Sequence, residues 1–167
     1  MSKNHIILHR KYKRSIMSAL TGNIEGKLDS KGRAFLPATF RHQLGDNTVF
    51  YLRKDLFENC LVLYPAQTWE NIVAELRQRL SPWVRREDQI FRQFVAEADR
   101  IELEENGRML LPKRHLTNLN FQGGIKFIGK FTTIEIWPAN KVEETFIEAE
   151  DLAIELEKLM KNSLSEK

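Results

Sequence analysis

The chain has 167 residues, a formal net charge of +3, 42% hydrophobic and 29% charged residues, which is the balance of a soluble globular protein with room for one ordinary domain or two small ones. No apolar run approaches the ~20 residues of a membrane helix, Ile6-Ile7-Leu8 is too short for a secretory signal core, and the single Cys60 excludes an internal disulfide frame and suits a reducing, cytoplasmic compartment. Lys3, Arg10, Lys11, Lys13 and Arg14 put five positive charges and no acid into residues 1–16, so the remainder carries net −2 and any cationic binding surface on it has to be local.

Residues 1–16 are expected to be a flexible basic tail. Residues 22–28 alternate weakly and predict a strand running into a reversal at 29–32. There Asp29 can bond its own backbone two residues on, and Gly32 can take φ > 0 without a Cβ penalty. Residues 33–36 resume as a strand. Pro37 ends it for want of an amide and then suits the first turn of a short helix to residue 44. Gly45-Asp46-Asn47 is a turn, and 48–53 and 60–64 are β-rich segments joined by a polar loop. Trp69, Ile72, Val73, Leu76 and Leu80 share one helical face, and Ser81-Pro82 breaks that helix. A second helix is predicted over 86–98, with Ile90, Phe91, Phe94 and Val95 on one side. Strands at 100–104 and 108–111, a short helix at 112–119 and strands at 125–129 and 132–137 follow. A closing helix is predicted from Pro138 towards Met160, with Val142, Phe146, Ala149, Leu152, Leu156 and Leu159 or Met160 as its apolar line. Its acidic surface (Glu143, Glu144, Glu148, Glu150, Asp151, Glu155, Glu157) makes it a poor DNA binder.

The order strand, turn, strand, Pro, short helix, two strands occurs twice. Leu28, Asp29, Gly32, Arg33, Pro37 and Leu44 fall on Leu103, Glu104, Gly107, Arg108, Pro112 and Leu119 at an offset of 75, which then slips to 73 so that Leu61 to Pro65 lies over Ile134 to Pro138. A duplicated unit is the reading to test before any other. Half-repeats this small are marginal alone, so they are expected to share a core or gain stability by oligomerising. The predicted division is a basic tail (1–16), a first repeat with its helix (17–80), a helical connector (81–98), a second repeat with the closing helix (99–160) and a tail (161–167).

Nothing in the chain argues for catalysis. His5, His9, His42 and His115 are scattered, no Cys/His spacing fits zinc, and no GxSxG, P-loop or HExxH occurs. Trp69, Trp83 and Trp137 are read as core, and Cys60, inside Cys60-Leu61-Val62-Leu63, as buried filler rather than a nucleophile. No enzyme activity, metal, cofactor or small-molecule substrate is expected.

The doubled turn is the candidate binding element. Lys31 and Arg33, flanked by Lys27 and Arg41, put several cations on a small rigid feature. A two-stranded ribbon fits the major groove of B-DNA, and Arg suits a bidentate contact with guanine or phosphate. Asp29 is placed to pair with Arg33 across the reversal. The alternative is a structural turn whose internal Asp–Arg pair has no ligand, because exposed pairs are nearly neutral in energy. An Arg kept in register in both copies favours binding, since Gly and Pro alone would preserve the turn.

At Leu28-Asp29-Ser30-Lys31-Gly32-Arg33…Pro37…Phe40-Arg41 and Asn106-Gly107-Arg108-Met109-Leu110-Leu111-Pro112 the sequence resembles the MraZ family of bacterial regulators encoded at the head of the division and cell-wall gene cluster. The resemblance covers about residues 17–160. It implies an α+β chain of two tandem AbrB-like swapped-hairpin β-barrel half-domains with flanking helices, related by an internal pseudo-twofold. It also implies a ring-shaped homo-oligomer, and a nucleoid-associated regulator that binds short direct repeats in double-stranded DNA upstream of its own operon. The family's DNA-contacting Arg maps onto Arg33 and its counterpart onto Arg108. In the mechanism expected from this, Arg33 meets a base edge or close phosphate, Lys27, Lys31 and Arg41 meet phosphates, and Arg108 acts similarly or braces the barrel. Asp29, Gly32, Glu104 and Gly107 form the turns. Glu104 in place of Asp and Asn106 in place of Lys leave the second turn weaker or more structural. The rival readings are a ring-forming scaffold without nucleic acid, a hydrolase using the acidic cluster, and a single-copy antitoxin-type binder.

Overall fold

Segments of period two become strands and segments of helical period become helices. The order is β1 (Leu20–Lys27), β2 (Arg33–Phe35), α1 (Ala38–Leu44), β3 (Val49–Lys54), β4 (Leu61–Pro65), α2 (Ala66–Arg79), α3 (Arg85–Ala96), β5 (Asp99–Glu102), β6 (Arg108–Leu110), α4 (Lys113–Asn118), β7 (Gly124–Phe131), β8 (Thr133–Pro138) and α5 (Ala149–Ser165). The computed structural model describes residues 19–165; the basic tail expected at 1–16 lies outside them. The chain is α+β. Its antiparallel strands form a six-stranded sheet ordered β1-β7-β8-β4-β3-β5 and a two-stranded ribbon of β2 and β6. No helix among the described residues is long and apolar enough to cross a membrane.

The two repeats interleave. β1 pairs with β7 and β3 with β5, so each repeat's first strand lies against the third strand of the other. At the centre each repeat meets itself: Ala34 pairs with Met109 in the ribbon, and Val62 with Glu135 in the sheet. Those are repeat-equivalent positions, so a local twofold passes through both pairs. The same symmetry carries Gly26↔Ile125 onto Phe50↔Ile101. The slip in offset sits in the hairpins. The β3–β4 connection is a loop closed by Asp55 N donating to Cys60 O at 3.0 Å, whereas β7 and β8 are joined through Thr132 alone, with Phe131 at φ 64°.

Interleaving explains how such short repeats bury enough surface. One cluster takes Leu36, Phe40, Phe50 and Leu63 from the first repeat and Met109, Leu111, Ile125 and Phe127 from the second, all essentially inaccessible. Each such side chain contributes roughly 1.5–3 kcal/mol on burial, and neither repeat alone would supply both walls. At the sheet's axis the buried Glu135 accepts from Lys130 Nζ at 2.8 Å and Trp137 Nε1 at 3.0 Å, so its carboxylate is satisfied rather than stranded. A smaller cluster of Cys60, Val62, Trp137 and Val142 closes the other face. Burial pushes the Cys60 thiol well up, leaving it inert as expected.

Two expectations are corrected. Trp83, read as core, is 93% exposed on the connection between α2 and α3, because the break at Ser81-Pro82 turns it outward. The closing helix does not start at Pro138. Val142 drops into the pocket beside Cys60 and Trp137, a single 3-10 turn covers Glu143–Thr145, Phe146 is extended, and α5 begins at Ala149. The expected apolar line therefore splits: Val142 is core, while Leu152, Leu156 and Leu159 lie exposed on α5.

The hairpin of α2 and α3 is fixed by aromatic stacking. Trp69 lies 5.5 Å from Tyr51 and 5.4 Å from Phe94, nearly parallel to both, and 5.3 Å from Tyr64. Beneath it Arg53, 2% exposed, lies 4.3 Å over the Phe94 ring and reaches Glu97 at 3.1 Å. Trp69→Ala is expected to cost about 3–5 kcal/mol in urea unfolding and to accelerate amide exchange in α3 above that in β7; uniform acceleration across both would show that the hairpin is not held through this ring.

Candidate nucleic-acid interface

Asp29 organises the first turn through both of its carboxylate oxygens. Oδ1 accepts from the amides of Lys31 and Arg33, each at 2.9 Å, and Oδ2 accepts from Arg33 Nε at 2.7 Å. Gly32 N donates to Asp29 O at 3.1 Å and Asp29 N to Arg33 O at 2.9 Å, closing the reversal. Gly32 sits at φ 82°, where a Cβ would be strained. The amide of Arg33, then its guanidinium and the amide of Lys31, hold the Asp29 carboxyl below its ordinary range against a partial burial that acts the other way.

The second turn repeats the design with different parts. Asn106 Oδ1 supplies the acceptor for the Arg108 amide at 3.0 Å, and Glu104 takes over the guanidinium. Arg108 donates both Nε, at 3.0 Å, and Nη2, at 2.8 Å, to one Glu104 oxygen. This raises the Arg108 pKa further. Gly107 is at φ 84°. The longer Glu side chain lets two donors converge, so Arg108 is more fully engaged than Arg33, whose Nη atoms have no hydrogen-bond partner among the described residues.

The turns lie at opposite ends of the ribbon and lock across it. Leu111 N donates to Gly32 O at 2.8 Å and Leu36 N to Gly107 O at 2.9 Å. Ala34 and Met109 point into the core, which turns Arg33, Phe35, Arg108 and Leu110 outward, with Phe35 58% and Leu110 56% exposed. Register places Arg33 opposite Leu110 and Phe35 opposite Arg108, so the two guanidiniums stand two strand steps apart, roughly 7 Å along the ribbon. Side-chain exposure of about a third for both (33% and 32%) shows that neither is sealed in the core.

The other expected residues are dispersed around this ribbon. Lys31 is exposed at the tip of turn one, and Lys27 is exposed at the end of β1. Arg41 is half-buried: its Nε donates to Leu36 O at 3.1 Å and its side chain lies where a Cβ on Gly107 would come within 2.8 Å. Phe35 and Leu110 were not singled out by the sequence reading. The available signal was period-two alternation within the apolar triplets after each Arg, which turns the middle residue outward. His115, 7% exposed, bonds Asp99 at 2.7 Å and Asp99 also pairs with Arg114, a cluster on the far side of α4 that the sequence did not indicate. Among the described residues no group of His, Cys, Asp or Glu gathers to hold a metal ion.

The family model described as "MraZ protein, putative antitoxin-like" matches residues 19–89 and 94–162. Proteins named transcriptional regulator MraZ are similar over most of their length. The one from Bacteroides fragilis is 45% identical over 147 residues, covering 87% of this chain and 93% of that protein. The one from Bacteroides thetaiotaomicron is 43% identical over 146 residues, 86% of this chain and 94% of that protein. The one from Phocaeicola vulgatus is 47% identical over 141 residues, 83% of this chain and 92% of that protein.

Because the folded Asp29 pKa lies below the ordinary 3.8, its contribution to the turn is complete above that value and is lost as pH falls through the lowered folded value. A carbon-13 titration of the side-chain carboxyl is expected to give a midpoint below 3.8 in the wild type and, in Arg33→Ala, a higher midpoint that still stays below 3.8, since the Arg33 amide survives truncation. A complete return to 3.8 would show that the guanidinium alone holds the carboxylate.

Proposed function

Because the chain belongs to the MraZ family, we propose that it is a sequence-specific DNA-binding transcriptional regulator, a non-enzymatic role. The observation that supports this most directly is the ribbon's outer face. Two oriented, partly exposed guanidiniums sit there on backbone that the turns and the core hold rigid.

In this reading the ribbon enters the major groove. Arg33, tethered through Nε, presents its free edge to guanine or a close phosphate, and Phe35 meets a thymine methyl. Lys27 and Lys31 neutralise phosphates. Arg108, doubly bonded to Glu104, acts more as brace than probe. Arg41 joins the cationic rim while buttressing turn two. The interleaved strands are those of two AbrB-like swapped-hairpin half-domains closing into one barrel, and the division into a first repeat (17–80), a connector (81–98) and a second repeat (99–160) follows the duplication. Action at the nucleoid in the cytoplasm, on short direct repeats upstream of its own division and cell-wall operon, follows from the family resemblance. Occupancy of the promoter makes repression the simplest outcome.

One subunit offers little contact, so binding gains from several subunits engaging tandem sites at high effective concentration. The exposed Leu152, Leu156 and Leu159 stripe of α5 supports assembly into a homo-oligomer, since an apolar helical stripe of this kind is ordinarily covered. A ring requires heterologous contacts whose rotation closes.

Arg33→Ala is expected to abolish preference for promoter DNA over an unrelated duplex in fluorescence anisotropy while circular dichroism and sedimentation stay unchanged; a retained preference would leave the ribbon without its reader. Leu156→Glu is expected to shift sedimentation of the native assembly to smaller species, and an unchanged profile would remove α5 from the subunit contact.

A further inference from the structure

Crossing of the repeats makes each end of the ribbon composite. A Cβ added at Gly32 would come within 3.1 Å of Leu116 on α4, and one added at Gly107 within 2.8 Å of Arg41 on α1. Turn one therefore rests on the short helix of the second repeat, and turn two on the short helix of the first.

This exchange sorts charge. At equivalent positions Lys27 answers to Glu102, Ser30 to Glu105, Lys31 to Asn106 and Ala38 to Lys113. Within one repeat those differences look scattered. Across the swap, Lys113 joins Lys31 beside turn one, while Ala38 joins Asn106 and Glu105 beside turn two, where Arg41, the equivalent of Leu116, is tied to Leu36 O through its Nε. Lys31 and Lys113 line one open hollow of about 800 Å³, with Leu28, Leu116 and Phe121 along it. Both lysines are exposed, and neither ammonium has a hydrogen-bond or ion-pair partner among the described residues. Asp29, the carboxylate on the wall, is committed to Arg33 and the turn amides.

We propose that this hollow receives a backbone phosphate of duplex DNA between Lys31 and Lys113, so that one end of the ribbon carries the grip and the second repeat contributes to it through Lys113. The inference rests on the DNA-binding reading above and adds a residue and a polarity to it. Two cations lining one hollow at that end of the ribbon would fix which end faces the phosphate chain, as backbone contacts set register without reading sequence. Lys113 would act on affinity for any duplex, and Arg33 on the choice among duplexes.

The test measures salt dependence of binding by the full chain to a duplex from upstream of its own gene and to an unrelated duplex of equal length. Lys113→Gln is expected to weaken both alike and to flatten the log–log salt slope by about one, with circular dichroism and sedimentation unchanged. Ala38→Lys, which places a cation at the mirrored position, is expected to leave the slope unaltered. An unaltered slope in Lys113→Gln, or a steeper one in Ala38→Lys, overturns the inference while wild-type binding leaves the functional reading standing. Wild-type protein that binds neither duplex overturns that reading and this inference with it. Saturable shifts of the Lys113 side-chain resonances by inorganic phosphate, with DNA binding unaffected by Lys113→Gln, would assign the hollow to a free anion and overturn the DNA assignment.

Discussion

The structure depends on one pairing: each repeat meets its own equivalent across a local twofold, Ala34 against Met109 in the ribbon and Val62 against Glu135 in the sheet. Pairing at those two places forces every other strand of one repeat to lie beside the other repeat. A three-residue strand such as β2 has almost no stability by itself. It persists because its amides continue into the opposite turn, at Gly32 and Gly107, and because its inward residues share the core with Phe40, Phe50 and Phe127. The candidate binding element and the fold are in this sense the same object, and the turns are held by the interleaving.

The same geometry separates the roles of two arginines that look alike. Asp29 is short, so it caps the turn amides with one oxygen and holds Arg33 by a single nitrogen with the other. Glu104 reaches further and takes two nitrogens, while Asn106 supplies the cap. One extra methylene and a divided task leave Arg108 more engaged and Arg33 more available. Around them the net negative body is no obstacle to a local cationic surface, because Asp29, the carboxylate lining the hollow with Lys31 and Lys113, is committed to Arg33 and the turn amides.

Outside the ribbon, the buried charges Glu135 and Arg53 each have partners. Glu135 is satisfied by Lys130 and Trp137. Arg53 keeps one unpartnered Nε but gains the face of Phe94 and the carboxylate of Glu97, which ties the α2–α3 hairpin to β3. The exposed apolar residues concentrate on α5, on the α2–α3 connection at Trp83 and at hairpin tips such as Phe57 and Phe131. They lie away from the shared core.

Much of this was legible in the chain. Turns, strand ends and short helices follow from local chemistry: Gly where φ is positive, Pro where an amide is dispensable, Asp where a backbone needs an acceptor. The duplication was visible as a repeated order of those signals, and with it the pair Arg33 and Arg108. Tertiary structure alone decided which side chains of one repeat stand beside the turn of the other, because that depends on strand exchange over 75 residues of separation. It made Arg41 a buttress of the opposite turn and brought Lys113 to Lys31. It also exposed Trp83 and drew Val142 out of the closing helix into the core. Local sequence specifies conformation within a few residues, whereas burial is settled by whichever surfaces the assembled sheet leaves to be covered.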